Sequence, residues 1–253
     1  SGLPVAGSGP LTFWLGAICI KLFGGILGAP LAARLAPFCF FLIGAYSVWH
    51  TTFILGRRNS AQPMRLAFGG QPEANAYGRM LADGALLIYL GCLGLLMHSH
   101  ETSVEALFVA LIAYNLYRCA RYLDVPSIKN ACLLGLALGA LALTNGLVTP
   151  FGLFFCFFVG IFFCKPPRQK HIINLVIAFT VSIAIVIIWW LAEQTARPYN
   201  SSPFNAWLVW NVGQFGIPSF DSIKYFFKNG IWFFWPAWPY ALWAIYAWRR
   251  EWR

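Results

Sequence analysis

Polar residues that could bind a metal or move a proton are concentrated in one short run, MHSHETS, between two apolar segments. His98, His100 and Glu101 lie close together in this run, and imidazole and carboxylate groups are acceptable zinc ligands. Alternating residues across a turn rarely converge on one ion without a further ligand from elsewhere. His98 and His100 are therefore weak metal candidates, and neutral histidines at a membrane surface are the simpler interpretation.

The composition is typical of a polytopic membrane protein. Of the 253 residues, 59% are apolar, 18% are aromatic and only 10% are charged, whereas a soluble domain carries roughly a quarter charged residues. The net charge is +10, but most basic residues cluster between apolar runs, as topology-setting charge does, so nucleic-acid binding is not expected. The 7 cysteines show no paired spacing, which favours buried small side chains over disulfides or a zinc site.

Apolar helices must position any polar site in such a chain. We predict an all-α fold, a polytopic transmembrane helical bundle of about seven spans plus an interfacial helix, forming a single domain over residues 1–253. Residues 1–30 would form an outer-face interfacial segment, 31–192 the helical bundle, 193–230 an outer loop, and 231–253 the last span and a cytoplasmic end. We also expect the chain to be an internal fragment of a longer protein. The predicted spans are 35–55, 82–97, 104–120, 130–145, 147–164, 172–192 and 231–248.

Clusters of arginine and lysine set the expected sidedness. They predict that the connections at 56–81 and 120–129, the loop that begins at Lys165, and the end of the chain are cytoplasmic. The remaining connections, among them MHSHETS and the break at Thr144-Asn145-Gly146, then face outside. On this topology the other two histidines, His50 and His171, are cytoplasmic and cannot complete a metal site with His98 and His100.

Two motifs in the chain resemble those of GT-C glycosyltransferases, the polytopic enzymes of the lipid A aminoarabinose transferase and protein O-mannosyltransferase type. The first is SGPLTFWLGAICIKLFG…APLAARLAPF, in which Pro10, Trp14 and Ala33-Arg34-Leu35 match the family pattern. The second is LLGLALGALALTNGLVTPFGLF, and IWFFWPAWPYALW is similar to a later helix of the family. Within the second motif, Gly135 and Gly139 form a small-xxx-small pair that predicts close helix packing.

The resemblance implies a transferase that uses a polyprenyl-phosphate sugar at the outer face of a bacterial inner membrane. The sugar, of hexosyl or pentosyl type, would pass to a lipid or protein acceptor, as in lipid A modification. Such a reaction needs a carboxylate to deprotonate the acceptor and cations to hold the departing phosphate. No organic cofactor is implied, and a divalent metal is left open. Ser8 and Asn145 stand where the family motifs carry lysine.

The resemblance also implies candidate site residues. A carboxylate is expected where a span leaves the outer face, which makes Glu101 and Glu105 the catalytic candidates, with Glu101 favoured because it lies in the turn. Both residues could instead only stabilise the first turn of a helix. Asp83 is expected to be such a first-turn charge at the cytoplasmic end of its span. The candidates for donor binding are Ser8, Lys21, Arg34, Asn145 and Arg197.

Two other interpretations remain beside the enzyme. The chain could be an inactive relative of the same fold, because both motif lysines are replaced. It could also be a transporter or a structural membrane subunit, although transporters place ionisable residues near the middle of the membrane and the predicted spans carry few.

Overall fold

The computed structural model describes residues 9–63, 70, 72–92, 104–164, 169–196, 202–214, 216, 219–233 and 235–248. Within these residues the chain forms ten α-helices and no strand, which confirms the predicted all-α class. The helices are α1 (Leu11–Leu27), α2 (Ala29–Gly56), α3 (Ala74–Gly91), α4 (Val104–Asp124), α5 (Ile128–Asn145), α6 (Val148–Cys164), α7 (Gln169–Ala196), α8 (Pro203–Gly213), α9 (Phe220–Phe233) and α10 (Ala237–Trp248).

Three of these helices are long and apolar enough to cross a membrane. They are α2, α5 and α7, with mean hydropathies of 1.6, 1.4 and 2.7 over their most apolar stretches. They contain the predicted spans 35–55, 130–145 and 172–192. α1 and α6 are also apolar but shorter. The length and composition of these three helices therefore suggest a membrane protein.

The start of α3 differs from the prediction. The apolar run begins near residue 82, but α3 begins at Ala74 because the helix continues upstream through the polar sequence ANAYGR. Asp83 is therefore the tenth residue of an 18-residue helix. The expectation that Asp83 is a first-turn charge is wrong.

The last predicted span, 231–248, is not one helix. α9 ends at Phe233 and α10 begins at Ala237, so Pro236 lies between them. Proline has no amide hydrogen and disfavours the helical conformation of the residue before it, so Pro236 favours a break between the two helices. The segment 193–230, predicted as a loop, contains the end of α7, the whole of α8 and most of α9.

α5 is the central helix of the described bundle. It packs on α4 along one side and on α7 along the other, while α4 also packs on α2. A Cβ atom at Gly135 would lie 2.4 Å from the backbone oxygen of Ala178, and one at Gly139 would lie 2.5 Å from Cδ1 of Ile185. The glycines thus let α5 and α7 approach closely, which confirms the packing role predicted for this pair.

The helices alternate in direction, so the bundle has two ends. At the Arg57 end, where α2 and α4 finish and α3 and α5 begin, Arg57 forms an ion pair with Asp124. α7 also begins at this end. His171, in its first turn, has Nδ1 3.3 Å from the hydroxyl of Tyr122, near the end of α4. At the Asn145 end, α5 finishes and α6 begins. The charge rule would make the Arg57 end cytoplasmic.

Candidate functional site

At the Asn145 end, the segment that precedes α1 contacts the end of α5. The amide of Gly9 donates to the carbonyl oxygen of Thr144 at 3.0 Å, so the segment that leads into α1 lies against the last turn of α5. A Cβ atom at Gly9 would lie 1.9 Å from the backbone oxygen of Leu143, so this close approach requires glycine. Ser8 lies outside the described residues. Gly9, the residue after Ser8, contacts Thr144, the residue before Asn145.

The turn after α5 is fixed by a side chain from α8. Gly146 has a φ of 98°, a conformation that favours glycine. The amide of Leu147 donates to Oδ1 of Asn211 at 2.6 Å, and Nδ2 of Asn211 donates to the carbonyl oxygen of Trp207 at 2.8 Å. Asn211 is only 2% exposed. The bond from Leu147 holds α8 against the turn between α5 and α6, and the bond to Trp207, which lies within α8, orients the Asn211 amide.

Aromatic packing completes this side of the Asn145 end. The rings of Trp189 and Trp207 meet edge to face, with centroids 5.3 Å apart. Leu11 of α1 and Leu143 of α5 pack on the same cluster. The indole Nε1 of Trp207 is buried and has no hydrogen-bond partner among the described residues. A polar group that reached this indole would therefore find a free donor.

Glu193 is an acidic residue that the sequence analysis did not select. One carboxylate oxygen accepts from the hydroxyl of Ser202 at 2.6 Å, and the other accepts from the amide of Phe204 at 2.9 Å. Both partners lie at the start of α8, where backbone amides lack helical partners. Glu193 therefore caps α8. The Ser-Pro pair that begins α8 was the sequence signal for a helix here.

A cleft of about 320 Å³ lies between α1, α2 and the start of α4. Its lining is mostly apolar and includes Phe13, Pro37 and Phe40. Thr12 also lines it, and the Thr12 hydroxyl is buried without a hydrogen-bond partner among the described residues. The cleft could thus accept an apolar chain that carries a polar group at one point.

Three of the described site candidates are sequence neighbours of residues that line this cleft. Glu105 lies in the first turn of α4 and is exposed, and its neighbour Val104 lines the cleft. Lys21 and Arg34 are exposed on α1 and α2, next to the lining residues Ile20 and Ala33. Asn145 is half-buried at the end of α5. The candidates Ser8, His98, His100, Glu101 and Arg197 lie outside the described residues.

The described part of the chain contains no group of three histidine, cysteine or acidic residues that could hold a metal ion. His98 and His100 lie outside the described residues, so a metal site there stays a prediction.

A further polar contact joins α2 to α3. Nε1 of Trp49 donates to Oδ1 of Asp83 at 2.8 Å and so joins α2 to α3. The ring of Trp49 stacks on Phe53 and meets the ring of His50 at an angle. Sequence reasoning missed this pair, because its two members are 34 positions apart and no local pattern links them.

Comparison with protein-family models, with curated proteins and with solved structures finds no match for this chain.

Proposed function

We propose that the chain is part of a membrane glycosyltransferase that takes its sugar from a polyprenyl phosphate. The observation that carries the proposal is the contact between Gly9 and Thr144, which joins two segments that separately resemble glycosyltransferase motifs. The apolar cleft between α1, α2 and α4 opens beside them. It has the chemistry to accept part of a lipid chain.

The proposed reaction needs one base and one anion-binding group. The acceptor hydroxyl attacks the anomeric carbon of the sugar, and the bond from that carbon to the phosphate oxygen breaks. The hydroxyl proton passes to a carboxylate, for which Glu105 and Glu101 are the candidates. Lys21, Arg34 and Arg197 are the candidates that stabilise the departing phosphate, with neutral contacts from Ser8 and Asn145. The acceptor is a lipid or a protein at the outer face.

The test compares carboxylates on the full-length protein. Glu101→Gln and Glu105→Gln each keep the size of the side chain but remove the base. We expect at least one of them to lower the rate of sugar transfer by a hundredfold or more, since general base catalysis contributes about 10²–10⁴-fold. The rate is measured with a polyprenyl-phosphate sugar that is labelled in the sugar.

Glu73→Gln is the matched control, because Glu73 is an exposed carboxylate just before α3, at the Arg57 end. This variant should transfer sugar at the wild-type rate. Full activity in both Glu101→Gln and Glu105→Gln would reduce these residues to helix-capping charges. A wild-type protein that transfers no sugar would favour the inactive relative.

A further inference from the structure

The first turn of α5 presents unpaired backbone amides at the Arg57 end. Ser127 precedes the helix, and its hydroxyl accepts from the amide of Asn130 at 3.3 Å. Helix geometry leaves the amides of Ile128 and Lys129 without a partner inside the helix. The helix dipole adds partial positive charge at the same point. The start of α5 is thus suited to an anion.

A buried arginine is aimed at this turn. Arg118 of α4 is only 6% exposed, and its Nη2 donates to Oδ1 of Asn130 at 3.1 Å. Its Nε is buried and has no hydrogen-bond partner among the described residues. A buried guanidinium that leaves a donor unused is costly unless something pairs with it.

The carboxylate nearest in sequence is already engaged. Asp124 forms ion pairs with Arg57 and with Arg121, the latter at 3.3 Å. In the described part of the chain, no ion pair involves Arg118. Lys129, which is exposed in the first turn of α5, adds a further cation. The surroundings therefore carry more positive than negative charge.

We infer that Arg118, Lys129 and the amides at the start of α5 bind a phosphate group. Phosphate oxygens suit both the two-pronged guanidinium and a helix N-terminus. The group belongs either to an anionic lipid headgroup or to a soluble phosphate. This site is at the opposite end of the bundle from the proposed transfer reaction and does not depend on it.

The experiment measures the melting temperature of the purified full chain in detergent, while one of two probes is titrated. The probes are phosphatidylglycerol, with the zwitterionic phosphatidylcholine as its reference of zero net charge, and inorganic phosphate. A ligand that binds the folded state raises the melting temperature, and the rise grows with the logarithm of the ligand concentration divided by its dissociation constant. A shift with phosphatidylglycerol alone identifies a lipid headgroup, whereas a shift with inorganic phosphate identifies a soluble anion.

Three variants test the residues. Lys129→Gln and Arg118→Lys should each weaken the apparent affinity by roughly threefold to tenfold, through loss of one charge or of the planar fork. Lys170→Gln is the control, because Lys170 is an exposed cation at the start of α7, at the same end. It should bind as the wild type does. If Arg118→Lys does not fold, Lys129→Gln still decides.

Three results would overturn the inference. The first is that neither probe raises the melting temperature of the wild type. The second is unchanged affinity in Lys129→Gln, which would mean that the probe binds away from the start of α5. The third is an equal loss in Lys129→Gln and Lys170→Gln, which would show a diffuse attraction between charges and no site.

Discussion

Asp83 is a carboxylate in the middle of α3, and Trp49 is the residue that satisfies it. The carboxylate oxygen accepts from the indole at 2.8 Å. Asp83 is exposed, and α3 is not among the three described helices that are long and apolar enough to cross a membrane. The pair thus joins α2 to α3 through one exposed polar contact.

Trp49→Phe should lower the melting temperature of the protein, because it removes the indole donor of a hydrogen bond that contributes roughly 0.5–1.5 kcal/mol. The same change should cost less in an Asp83→Asn background, where no carboxylate must be satisfied. Thermal unfolding followed by circular dichroism gives both values. Trp232→Phe is the control, because Trp232 is 73% exposed. Equal losses in the two backgrounds would show that Trp49 acts only by packing.

At the scale of the elements, α5 and α6 were predicted to within two residues, because their apolar runs coincide with their helices, whereas α7 extends three and four residues beyond its predicted span. α3 was predicted to begin too late, since hydropathy detects apolar residues but not the polar turns that continue a helix. α8 was missed inside a polar segment. Asn211, which joins α8 to the turn after α5, could not be found from sequence, because it binds Leu147 from 64 positions away. Glu193, which caps α8, binds residues 9 and 11 positions away, beyond the reach of a local capping pattern.

One added methyl group at Gly135 or at Gly139 of α5 should lower the stability of the protein by different amounts. Gly135→Ala should destabilise the protein by roughly 1–3 kcal/mol, because the new Cβ meets backbone that cannot move cheaply. Gly139→Ala should cost less, since the atom it meets first is the end of the flexible Ile185 side chain.

Gly152→Ala on α6 is the matched control, because no atom lies within 4 Å of its added Cβ. It should leave stability unchanged or raise it by about 0.5–1 kcal/mol, since alanine favours a helix more than glycine does. Melting temperatures of the three variants test the order. A Gly135→Ala protein as stable as Gly152→Ala would contradict the close approach of α5 and α7.

For the whole molecule, the two ends of the bundle should lie on opposite sides of a membrane. In a variant whose native cysteines are replaced, Glu105→Cys should react with a membrane-impermeant maleimide added to intact spheroplasts. Lys170→Cys should react only after the membrane is opened, because its end carries most of the described basic residues. The reverse pattern would place the Arg57 end outside, and equal labelling before opening would argue against a membrane between the two ends.

The three candidate spans differ in length, which has a consequence for the bilayer around them. α2 and α7 each contain 28 residues and α5 contains 18, so their axes measure about 42, 42 and 27 Å at 1.5 Å per residue. The hydrocarbon core of a bilayer is about 30 Å thick. Upright, α5 fits that thickness, whereas α2 and α7 exceed it and must tilt or project into the headgroups. In a bilayer, the tilt of the helices should therefore depend on the acyl-chain length of the lipids. A thicker bilayer would reduce the tilt of α2 and α7, and it would have to become thinner around the shorter α5.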